Sequence, residues 1–164
     1  MSGGSSTTAL QITAVRRWTA YHEAGHAVLR IVRAGHATQI DIGADGRGYS
    51  HGSGEEIRET DSIEVALAGP LAEARHRKVS LFYVLCTAGQ EDWELASSIA
   101  AKFAARFAAL PNLKMNKASV LEEAEANARR YLRMHWPSVE RLAQAATVRG
   151  TLTSMEVGQI AAID

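Results

Sequence analysis

Between Thr13 and Arg33 the chain reads as one helix that is apolar around most of its girth. Trp18, His22, Gly25, Leu29 and Val32 recur on one face at helical spacing, and Ala20, Ala24, Ala27 and Ile31 form a second line beside it. A surface helix carries a single apolar stripe, so a helix with two belongs at the centre of a domain, with other elements packed around it. The composition agrees, since 29 of 164 residues are Ala, the best helix former, and only 6% are aromatic. Gly25, in the middle of this helix, costs about 1 kcal/mol relative to Ala, which is understandable if another backbone packs close there.

The rest of the chain arranges itself around that helix. Residues 1–12 open on the Gly/Ser/Thr run MSGGSSTT, which has nothing to bury and is expected to be a disordered tail. Thr38–Ile42 and Arg47–His51 flank the turn-forming GADG of Gly43–Gly46, which predicts a two-stranded hairpin followed by a polar loop over Gly52–Glu59. Asp61–Lys78 starts with a capping-box-like Asp61-x-x-Glu64 and turns Ile63, Leu67, Leu71 and Ala74 inward, with Gly69-Pro70 expected to kink it. A helix over Gln90–Ala109 is closed by Pro111-Asn112. A long helical stretch over Lys117–Arg149 is bent near Trp136-Pro137, and Thr153-x-x-Glu156 caps a short last helix. The expectation is a mainly α (α+β) fold, a single domain over residues 13–164 built from five or six helices and one two-stranded β-ribbon.

Charge and motif absences narrow the function. The 18 basic and 18 acidic side chains sum to a formal charge of zero, without the basic surplus that a nucleic-acid binder or a polybasic membrane module needs. Apolar runs are broken by Arg well short of the ~20 residues of a membrane span, and no signal-peptide pattern opens the chain. A lone cysteine, Cys86, forms no internal disulfide, which fits a reducing cytoplasm; its apolar neighbours predict a buried, inert thiol. No GxxxxGK[ST] occurs, which excludes a motor ATPase within these residues.

His22-Glu23-Ala24-Gly25-His26 carries the chemistry. Two His at i and i+4 of a helix project side by side and can share one metal ion, and the intervening Glu lies where it can take a proton from water. Two imidazoles with a carboxylate base point to zinc. A zinc hydrolase needs a third protein ligand and one open position. Helical phase selects Asp92, which falls at the centre of the stripe formed by Leu95, Ile99, Phe103 and Phe107, in a first turn whose dipole favours a carboxylate. Glu73, on the preceding helix, is the rival ligand or else an acid that orients a histidine. His51 and His76 are weaker candidates that read better as surface residues; His36 and His135 have no partner pattern. The run Arg75-His76-Arg77-Lys78 suits a helix C-terminus.

These residues resemble a known family. Tyr21–Val28 (YHEAGHAV) is similar to the active-site helix of the M41 peptidases, the protease half of the FtsH-type AAA+ zinc proteases. In the same order, Gly48-Tyr49-Ser50 resembles the family's Gly-Tyr-Thr ribbon, Ala66–Ala74 (ALAGPLAEA) its small-residue helix, and Ala88–Ala96 (AGQEDWELA) the segment whose Asp is the third zinc ligand. The resemblance covers roughly residues 18–110. It implies a helical array with a β-ribbon, His22, His26 and Asp92 as zinc ligands, Glu23 as general base, and Gly48, Tyr49 and Ser50 as a strand that binds extended substrate. Pro70 stands where the family has Arg, and neither the motor nor the membrane anchor of the family is found in the chain. The expected activity is therefore that of a stand-alone zinc metalloendopeptidase acting on peptides or unfolded protein, any unfolding being left to a separate ATPase. Two other readings share the motif: a zinc-stabilised interaction module without catalysis, and a zinc hydrolase of a non-peptide bond.

Overall fold

The computed structural model describes residues 4–51, 57–108, 110 and 115–163. At its centre runs α1 (Gly4–Ala34), in which Ala20 to Leu29 are buried on every side. The helix begins at Gly4 and so takes in residues 4–12 of the expected tail, residues 1–3 lying outside the described residues; Ala9, Leu10 and Gln11 are good helix formers, and extending an existing helix is far easier than nucleating one. The hairpin follows as β1 (Gln39–Ile42) and β2 (Gly48–His51), paired antiparallel with Ile40 opposite Ser50 and Asp41 opposite Tyr49. The ribbon has a third strand that the sequence reading did not anticipate. β3 (Thr151–Leu152) pairs antiparallel with β1 on its other side, giving the order β2-β1-β3 and leaving β2 at an edge. Two residues are too few to show a period, which is why β3 was invisible in the pattern.

α2 (Glu59–Arg77) crosses α1 at close range. A Cβ on Gly25 would lie 2.5 Å from the Ala68 carbonyl oxygen and 2.7 Å from Ala72 Cβ, so the glycine is what allows the two backbones to meet. α2 continues through Pro70 as one helix, and the Pro70 ring packs against Gly89, the residue that starts α4. Between them lies the one-turn α3 (Leu81–Leu85), capped by Ser80, whose Oγ accepts from the Tyr83 amide at 3.2 Å. α4 (Gln90–Phe107) lays Ala96, Ala100 and Ala104 inward.

The chain then completes the shell around α1. The expected long stretch is two helices, α5 (Lys117–Met134) and α6 (Trp136–Arg149), divided at His135 with Pro137 in the first turn of α6, where its missing N–H leaves no gap. α7 (Ser154–Ala161) opens on the anticipated Thr153–Glu156 capping box. Leu29, Ile40, Ile63, Leu67, Leu142 and Leu152 are the largest wholly buried aliphatic side chains, each stabilising the fold by about 1.5–3 kcal/mol. A polar staple crosses this core: Arg33 of α1 pairs with the buried Asp61 and Glu64 of α2, and Asn127 of α5 donates to Glu64 at 3.0 Å. The fold class is thus mainly helical with a small antiparallel sheet, and among the described residues it has seven helices. No described helix is long and apolar enough to cross a membrane. The loop expected at residues 52–56 and the stop at Pro111-Asn112 lie outside the described residues.

Candidate metal centre

One turn of α1 separates His22 from His26, and their rings meet edge to face with centroids 4.9 Å apart. Both are buried, and so is Glu23, at 6% exposure. The outward nitrogens are fixed by partners on α2. His26 Nδ1 donates to the Val65 carbonyl at 2.8 Å, and His22 Nδ1 donates to Glu73 Oε2 at 2.9 Å. A carbonyl only accepts, so Nδ1 of His26 carries a proton and Nε2 is turned the other way. Gly69 of α2 makes room for the imidazoles: a Cβ there would overlap His26 Nε2 and come within 2.7 Å of His22 Cδ2.

Asp92, in the first turn of α4, meets both Nε2 atoms, with Oδ2 at 2.9 Å from His22 and Oδ1 at 3.3 Å from His26. The donor atoms of His22, His26 and Asp92 all lie within 4.8 Å of one another. An imidazole nitrogen facing a carboxylate oxygen, as His26 Nε2 does, requires a proton or a cation between them. Burial pulls the His22 pKa down, but hydrogen bonds to Asp92 and Glu73 outweigh it and carry the pKa up to about 10. Burial raises the Asp92 pKa, yet the bonds to His22 and His26 hold it far below the usual carboxylate range. Glu73 is likewise lowered overall: His22 and Arg77, whose Nη1 donates at 2.5 Å, outweigh its burial. Two imidazole nitrogens and one carboxylate, with each outward Nδ1 anchored, is a donor set suited to zinc with a position left open.

The sequence-derived candidates therefore divide. His22, His26 and Asp92 converge, while Glu73 takes the far side of the His22 ring, as an orienting acid does. Asp92 was selected on a stripe that needs correction. Leu95 is 54% exposed, and the buried line is Ala96, Ala100 and Ala104, which Asp92 extends by one turn toward the N-terminus. The role of Gly69 was missed; its only signal was a glycine amid small residues. His76 stacks on Tyr21 with centroids 3.6 Å apart, and Cys86 is exposed, not buried, because α3 turns only Val84 inward.

Beside the three convergent groups runs a cleft bordered by β2. A hollow of about 300 Å³ takes in Glu23, Gly48, Tyr49 and Ser50 with the metal-ligand candidates. Gly48 lies against Glu23: a Cβ there would fall 2.7 Å from Glu23 Oε1 and would overlap Thr19. Tyr49 is 57% exposed on the sheet edge. Larger hollows continue on either side, one past Thr19 and Arg47 and the other past Arg30 and Leu95. No family model matches the chain, and neither does any curated protein.

Proposed function

We propose that the protein is a zinc-dependent metallopeptidase of M41-like type that hydrolyses peptide bonds in peptides or unfolded segments. The observation that carries this reading is the convergence of His22 Nε2, His26 Nε2 and the Asp92 carboxylate beside Glu23, with each Nδ1 tied to an acceptor on α2. Zinc bound by these three residues supplies Lewis acidity, which polarises a scissile carbonyl and makes water a stronger acid. Glu23 takes the proton of the attacking water and delivers it to the leaving amine. β2, an edge strand of the sheet among the described residues, lies beside Glu23 and suits an extended peptide added as a further strand, with Gly48 giving close access and Tyr49 and Ser50 bordering the bound chain. Such a strand must be unfolded to bind, so folded substrates require an unfolding activity.

The test is hydrolysis of an unfolded, fluorogenically labelled protein. Activity lost on chelation and restored by zinc supports the peptidase. A zinc-loaded protein that leaves peptides intact indicates an interaction module or a hydrolase of another bond.

A further inference from the structure

The line of metal-ligand candidates on α1 continues beyond His26. Arg30 stands one turn further along the same face, with its Cβ roughly 5–6 Å from that of His26. Its neighbour Arg33 is engaged by Asp61 and Glu64, but Arg30 is half-buried and has no ion pair among the described residues. It lines a hollow of about 360 Å³ that shares His26, Asp92 and Ser50 with the metal centre. The remaining wall is largely apolar, from Ile57, Val65, Leu95 and Ile99. Thr38 borders the same hollow with its Oγ1 sealed beneath the wall.

A half-buried cation beside apolar walls loses part of its hydration, which an anion replaces. An apolar occupant would cover Leu95 and Ile99 but seal Arg30 away without a partner. A carboxylate on a short apolar stem satisfies both, the stem lying on the aliphatic wall and the oxygens accepting from the guanidinium. The one acid in the wall, Asp92, is already compensated by His22 and His26.

Resting on the peptidase reading, we infer that this hollow is a specificity site for a substrate carboxylate next to the scissile bond. The carboxylate comes either from a Glu or Asp side chain or from the peptide's own C-terminus. Arg30 is then the residue that sets the preference.

Calorimetric binding to the zinc-loaded Glu23→Gln protein tests this without turnover. The probes are acetylated, amidated peptides that differ at one residue (Glu, Gln or Leu), together with the Leu peptide bearing a free C-terminal carboxylate. The expected result is that a carboxylate peptide binds about tenfold or more tighter than the amidated Leu peptide, as a charge-assisted hydrogen bond gives. Which of the two carboxylate peptides binds tighter identifies the source. Arg30→Met removes the preference, and Arg30→Lys keeps part of it. Equal or tighter binding of the amidated Leu peptide, or a preference that survives Arg30→Met, overturns the inference. Cleavage-site mapping on wild type separates the two levels. Cutting without enrichment beside carboxylates sinks the specificity site and leaves the peptidase; carboxylate-selective binding without any cutting does the reverse.

Discussion

Adding one methyl group at Gly25 tests how the two central helices are held together. An alanine Cβ would sit 2.5 Å from the Ala68 carbonyl oxygen and 2.7 Å from Ala72 Cβ, where ordinary contact begins at 3.4 Å. The obstacle is backbone, so no rotamer change relieves it and α1 and α2 must part by nearly an ångström. Alanine regains about 1 kcal/mol of helix propensity, while overpacking a fixed interface costs about 1–3 kcal/mol, here at the upper end. The net loss is about 1–2 kcal/mol, a fall in Tm of roughly 2–8 °C for a chain of this size. Gly158 of α7 is the matched control, because a Cβ there meets only Ala37 Cβ at 3.6 Å. Gly158→Ala should raise stability by about 0.5–1 kcal/mol. Urea and thermal unfolding of the metal-free proteins, followed by circular dichroism, read both changes. Stability of Gly25→Ala equal to or above wild type would refute the close-approach argument.

Three further outcomes follow from the site. Glu73→Ala removes the partner of His22 Nδ1 and should weaken zinc binding by about 10–100-fold, with activity recovered at saturating zinc. Asp92→Ala should lose more zinc affinity than Glu73→Ala, and the opposite ranking in a zinc titration would exchange their roles. In the metal-free protein the His22 pKa is about 10 against a reference of 6.5, so folding takes up a proton. That stabilisation is complete below pH 6.5 and fades as pH rises through about 10. Urea midpoints should fall across this window in wild type and fall less in His22→Gln; equal slopes would show that His22 is not the titrating group.

The sequence made the central parts of this protein legible because they are periodic or punctuated. The two apolar lines of α1, the GADG turn and the Thr153–Glu156 cap each express a local rule, and each element is where that rule puts it. Asp92 was reached through helical phase, although the stripe used was displaced: Leu95 borders the cleft and small alanines take the buried line. Tertiary context decided what was missed. The β3 strand exists because β1 offers a free edge, and the direction of Glu73 is set by the crossing of α1 over α2. The value of Gly69 lies in imidazoles some forty residues away in sequence. Cys86 was misjudged because an apolar run of one turn has no preferred face, so composition alone said buried.

The most direct measurement is hydrolysis of an unfolded protein by wild type and Glu23→Gln, with bound zinc quantified in the same samples. Glu23 lies outside the convergent donors, so the variant should retain zinc at the wild-type level while its turnover falls to background. Retained turnover, or loss of zinc together with activity, would contradict the assignment of Glu23 as the base beside a His22–His26–Asp92 metal site.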